Sequence, residues 1–156
     1  MRLVTTYLPR AYATPDDLEA RAHMMSAAAM GATAFQKGLG AIHAMSHPVG
    51  AVFNTHHGTT NAVCMPAVLA FNADAIRGRF DQAAAYLGID GGFDGFCEFV
   101  QQFNDSFAIP RTLTEMGVSA DRLDDLVAMA LEDPSCGGNP VDLTADGLRG
   151  LFRACF

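Results

Sequence analysis

Fifteen glycines and seven prolines cut this 156-residue chain into pieces of helix length, and almost nothing between them carries a strand pattern. Thr14-Pro15-Asp16-Asp17 reads as a helix start. Thr14 suits the cap, Pro15 has the fixed φ wanted at the first helical position, and both aspartates face the positive end of the dipole. From Leu18 to about Phe35 the chain is rich in Ala and Met and apolar on nearly all sides, which predicts a deeply buried helix. His23 is expected there as a hydrogen-bonded core histidine, and Met24, Met25 and Met30 as core packing.

A short helix is expected over Ala41 to Ser46, stopping near Pro48. Another runs from Asn61 to Asn72, with Pro66 bending its first turns. Asp74 to Leu87 and Phe93 to Phe107 read as amphipathic helices about the turn Gly88 to Gly92. Ser119-Ala120-Asp121 opens a helix over Leu123 to Leu131, with Asp121, Asp124 and Asp125 on a solvated face. Asp133 to Pro140 (DPSCGGNP) is a loop, and Thr144 caps a terminal helix ending at Phe156. Only Leu3 to Leu8 is plausible as an extended piece, and one strand is not a sheet. The expected fold is all-α, a multi-helix bundle forming a single domain over residues 1–156.

Composition narrows the partners. Hydrophobic residues make up 50% and charged ones 17%, so some apolar surface is expected to meet a partner domain or subunit. A net charge of −7 with no basic cluster argues against nucleic acid or an anionic membrane. No apolar run reaches the ~20 residues that span a bilayer, and the N-terminus lacks a signal-peptide layout. Cys64, Cys97, Cys136 and Cys155 are scattered, with no CxxC pair, which reads as reduced thiols in a cytoplasmic protein.

Four of the five histidines, His43, His47, His56 and His57, fall between Gly38 and Asn61. His43 and His47 sit four apart, one turn apart on one helix face. A reversal after them brings in the second imidazole pair, and the two sources can converge on one borderline ion such as zinc or ferrous iron. The HAMSH spacing lacks the glutamate base of zinc proteases, so that chemistry is excluded.

The segment resembles the histidine signature of the iron-containing (group III) alcohol dehydrogenase family. Gly40, His43, His47, Gly50 and the triplet His56-His57-Gly58 occupy its fixed places. Ser46 stands where alanine is usual and His56 where proline is usual, the latter adding a competing imidazole. The likeness extends to ATAFQKGL (32–39), the stretch 61–72 and the DPSCGGNP loop, and so covers about Leu3 to Phe156.

The resemblance implies that His43 and His57 are metal ligands, for Fe(2+) or Zn(2+), and that His47 lies beside the nicotinamide and substrate as a proton-relay group. It implies a C-terminal helical domain only. An aspartate, a further histidine and the pyrophosphate loop would belong to a preceding dinucleotide-binding domain. The GIDGG of residues 88–92 follows a helix rather than a strand and does not replace that loop. The chain is therefore expected to be an incompetent dehydrogenase by itself, binding NAD(P) and a small alcohol or aldehyde only with a complementing N-terminal domain. Phe35, Phe53 and the Cys136-Gly137 loop are expected near the substrate cleft. Two alternatives stand beside this reading: a stand-alone metal module using His43, His47 and His57, and a structural remnant that dimerises through an apolar face.

Overall fold

A computed structural model describes all of residues 1–156. It contains eight α-helices, four short 3-10 turns and no strand. The fold is all-α. Its contacts divide into two compact units, Met1–Gly38 and Leu39–Phe156.

The first unit is a helical hairpin of α1 (Arg2–Ala13) and α2 (Leu18–Ala34), followed by a 3-10 turn at Phe35–Lys37. Residues Leu3 to Leu8, expected as extended, lie inside α1. Their Val and Thr content is a preference for a half-buried pleated surface, and no strand exists here to pair with. The cap of α2 also falls later than expected. Asp17 rather than Thr14 takes it, accepting from Ala20 N at 3.0 Å, and Thr14 to Asp17 forms the turn before it. Arg10 fastens the hairpin by pairing with Asp17 (2.8 Å) and Glu19 (2.7 Å).

The expected deep burial of α2 is not found. Ala20 is its one buried residue, while Leu18, Met25 and Met30 are 79%, 75% and 65% exposed. His23 is half-buried and stacks on Tyr7 at 4.0 Å rather than sitting in a core. Apolar periodicity reports what a helix can bury, and within the hairpin α1 covers one face of α2 and leaves these side chains open.

The second unit holds α3 (Ala41–Phe53), α4 (His57–Phe71), α5 (Ala73–Leu87), α6 (Gly92–Ser106), α7 (Leu123–Glu132) and α8 (Ala145–Cys155). Phe152, Met45, Leu113, Leu126, Leu148 and Val49 are fully buried at the centre of a cluster built by α3, α4, α7 and α8. A second cluster of Leu69, Ala84, Phe93, Phe96 and Val100 joins α4 to the α5–α6 hairpin. Cys64 and Cys155 are buried, and Cys97 and Cys136 half-buried, all as free thiols. Thr144 caps α8 as expected, accepting from Gly147 N, while Ser119 accepts from Asp121 N to cap a 3-10 turn, Ala120–Arg122, that leads into α7. Asp121, Asp124 and Asp125 are exposed, as their spacing suggested.

Pro48 does not stop α3, which continues to Phe53 and ends on Asn54 in the left-handed region (φ 53). An internal proline costs about 3 kcal/mol. Burial of Ala41, Ala44, Met45, Val49 and Pro48 itself offsets it. The reversal is Asn54–His56, joining α3, which carries His43 and His47, to α4, which begins at His57.

Pro66 is handled differently. Having no N–H, it cannot serve the Ala62 carbonyl four residues back. Asn104 on α6 donates its Nδ2 to that carbonyl at 3.1 Å. The proline thus creates an acceptor through which α6 is tied to α4. Asn104→Leu is expected to destabilise the chain by about 1–3 kcal/mol through the unpaired carbonyl. In a Pro66→Ala background, where the new N–H can reach Ala62, the loss should shrink. A denaturation double-mutant cycle with no coupling would contradict this account.

Candidate metal and proton-transfer site

The α3–α4 hairpin brings three imidazoles together. Ring centroids of His43 and His57 are 5.3 Å apart, those of His47 and His57 5.4 Å, and those of His43 and His47 5.7 Å. His47 and His57 are exposed and His43 half-buried, so the triangle opens to solvent. His56 does not join it. Its Nδ1 accepts from Thr59 N at 3.3 Å, capping α4 with a side-chain acceptor that the proline usual at this place in the signature lacks.

Two of the rings turn the same atom toward a common point. Asn61 Nδ2 lies 3.1 Å from His57 Nε2 and 3.5 Å from His43 Nε2. The amide N–H groups donate to bare imidazole nitrogens, so both rings present Nε2 lone pairs there. Behind His57, Nδ1 is 3.5 Å from the hydroxyl of Ser46, which donates to the His43 carbonyl at 3.4 Å. Ser46 is fully buried, so its departure from alanine supplies a polar group inside the site.

These residues fit a divalent ion, but only in part. Two neutral imidazole Nε2 atoms converge, and the Oδ1 of Asn61 is buried beside them with no hydrogen-bond partner. That orphan marks a place where a polar species belongs. No group of three or more His, Cys, Asp or Glu side chains is disposed to hold an ion. The closed three-histidine module is therefore not favoured.

The long loop after α7 holds the hairpin in place. Asn139 Oδ1 accepts from Ala41 N at 3.1 Å, capping α3, and from Asn72 Nδ2 at 3.0 Å. Asn139 Nδ2 donates back to Asn72 Oδ1 at 2.9 Å. Gly138 packs so tightly on the backbone before α3 that a Cβ there would lie 1.9 Å from the Leu39 carbonyl oxygen. Asp133, at the loop's start, meets His47 Nδ1 at 2.8 Å.

The family described as "Fe-containing alcohol dehydrogenase family, C-terminal" matches residues 1–156. The chain belongs to the iron-containing alcohol dehydrogenase family. It is similar to the 4-hydroxybutyrate dehydrogenase of Cupriavidus necator, at 40% identity over 94% of this chain and 41% of that protein. It is also similar to the NAD-dependent methanol dehydrogenase of Bacillus methanolicus, at 38% identity over 98% of this chain and 42% of that protein.

Among solved structures, a 1,3-propanediol oxidoreductase superposes with a TM-score of 0.93 at 29% identity, covering 99% of this chain and 43% of that one. The iron-containing alcohol dehydrogenase of Thermococcus thioreducens gives 0.86 at 30% identity, covering 99% and 41%. The chain thus spans about two fifths of the length of the relatives it matches and corresponds to the C-terminal helical part of iron-type alcohol dehydrogenases.

Of the expected cleft residues, Phe53 packs on the main cluster and Cys136 donates its thiol to Ala130 O at 2.9 Å. Phe35 belongs to the first unit and is 55% exposed. Asn61, Asp133 and Asn139 escaped the sequence reading as site residues. Asn61 follows His57 by one helical turn, a spacing that would have flagged it. A cavity of about 460 Å³ lined by Pro66, Glu98, Gln101 and Arg111 lies in the same unit and contains none of the histidines.

Burial lowers the His43 pKa below the usual 6.5, His57 and His47 act in the same direction, and Asp133 opposes them. The unfolded chain therefore holds the His43 proton more tightly than the folded one. The resulting stability is complete above 6.5 and is lost as pH falls through the folded pKa. Thermal unfolding of the metal-free chain should move to lower temperature on acidification through this window, and His43→Asn should flatten that dependence. An unchanged slope in the variant would assign the pH effect elsewhere.

Proposed function

We propose that this chain is the metal-bearing helical portion of an NAD(P)-dependent alcohol dehydrogenase that oxidises small alcohols or reduces the matching aldehydes. The single observation that carries this is the convergence of His43 and His57 Nε2 on one point, in a chain matched throughout by the family.

In this reading His43 and His57 are two ligands of an Fe(2+) or Zn(2+) ion. Remaining donors and the nicotinamide pocket come from a dinucleotide-binding domain. A bound ion would supply Lewis-acid polarisation of the alcohol or aldehyde oxygen, alongside hydride transfer to or from NAD(P). This chain's own contribution is positional and protonic. The α3–α4 turn fixes the two donors on adjacent rigid helices. Burial keeps His43 in the neutral state that a metal ligand requires. His47, with a side chain 42% exposed, takes up the alcohol proton and passes it to water.

The exposed Leu18, Met25 and Met30 of α2 support docking of that helix on a partner, either the dinucleotide-binding domain or a second copy of the chain. No helix is long and apolar enough to cross a membrane. Four free thiols fit a cytoplasmic setting.

Co-expression with a dinucleotide-binding domain from a relative tests the reading. The assembled protein is expected to retain iron or zinc and to reduce NAD(P)+ with a primary alcohol, while the chain alone does neither. His43→Ala or His57→Ala should abolish metal retention and lower kcat/KM by at least about 100-fold. Near-stoichiometric tight metal on the isolated chain would instead support a self-sufficient three-imidazole site.

A further inference from the structure

Asp133 makes two commitments with its two oxygens. Oδ1 accepts from Ser135 N at 2.8 Å, opening the 3-10 turn Pro134–Gly138. Oδ2 lies 2.8 Å from Nδ1 of His47, which is 86 positions earlier in the chain. The aspartate side chain is only 13% exposed, so this contact is sheltered from water although the imidazole is not. Burial pushes the carboxyl up, but the hydrogen bonds from Ser135 and His47 outweigh it and hold its pKa below the usual 3.8. At neutral pH it is a carboxylate, an acceptor with no proton to offer.

An acceptor-only partner decides which nitrogen of His47 carries hydrogen. The Nδ1 facing the carboxylate must donate, and in the neutral ring that leaves Nε2 bare. The ring is held from a second direction as well. It stacks on His57 with an interplanar angle of 15° and meets His43 edge-on at 66°. This packing restricts tilting of the ring plane, and the contact with Asp133 selects the ring orientation that points Nδ1 at the carboxylate.

We propose that Asp133 is a positioning residue that locks His47 as its Nδ1–H tautomer, so that Nε2 is the atom at which His47 accepts a proton in alcohol oxidation. The proton-accepting part rests on the role given to His47 above. Asp133 itself touches no reacting atom. The link also makes the DPSCGGNP loop part of the site. Its first residue sets the proton on His47, and Asn139 caps the helix that carries it.

The test is the tautomer itself, read by long-range proton–nitrogen correlation on the histidine-labelled, metal-free 156-residue chain. The pH is held about two units above the ordinary imidazole pKa of about 6.5, and a His47→Gln sample identifies the His47 signals. Wild type is expected to show Nδ1 protonated and Nε2 bare. Asp133→Asn should reverse this. Its Oδ1 keeps the Ser135 N–H, because Asn caps as well as Asp does. Its Nδ2 then faces His47 as a donor and forces hydrogen onto Nε2.

A wild-type ring protonated on Nε2 overturns the proposal without any variant, so loss of the fold in Asp133→Asn does not shelter it. A folded Asp133→Asn chain with an unchanged His47 tautomer also overturns it. The spectrum needs neither metal nor cofactor. Failure of the dehydrogenase assay above would therefore leave this result standing, and a contrary spectrum would leave the dehydrogenase reading standing.

Discussion

The side chain of Asn139 holds the architecture of the site together. It joins the start of α3, the start of α5 and its own loop through four hydrogen bonds, to Ala41, Val141 and twice with Asn72. A half-buried amide that meets all its partners in one geometry is directional in a way apolar packing is not. It selects one placement of α3 from the several that a cluster of Val, Leu and Phe would tolerate. The close approach of Gly138 to Leu39 O follows from the same docking, since only a residue without Cβ lets the backbones meet. With α3 so fixed, His43 and His47 have defined positions before any ligand arrives.

The two internal prolines of the second unit show that an apparent interruption can be structural. In α3, Pro48 is buried and the helix passes through it. In α4, Pro66 leaves a carbonyl that Asn104 takes up from another helix. In both places the energy lost from the helix ladder is compensated by tertiary contacts.

Features with local causes were legible in the sequence. The all-helical class, the caps at Ser119 and Thr144 and the α5 and α6 spans depend on residues within a few positions of one another. The grouping of His43, His47 and His57 also follows from helical spacing and one tight reversal. What the sequence concealed has distant causes. His47 meets Asp133 across 86 positions, and Asn139 meets Ala41 across 98. No periodicity encodes such pairs. The expectations for Pro48 and α2 failed for a related reason, because propensity and apolar pattern do not say what will pack against a segment. The signature resemblance reached the family, since motif spacing records a three-dimensional site that local physics alone does not reveal.

Two imidazole Nε2 atoms converge on one point, and if they ligate an ion as proposed, two donors alone would hold it weakly. If the other donors sit on a separate lobe, the ion becomes a cross-link between lobes, and each association strengthens the other by the same factor. Chelators would then loosen the junction as well as remove the ion, and lobe separation would release the ion without any competing ligand.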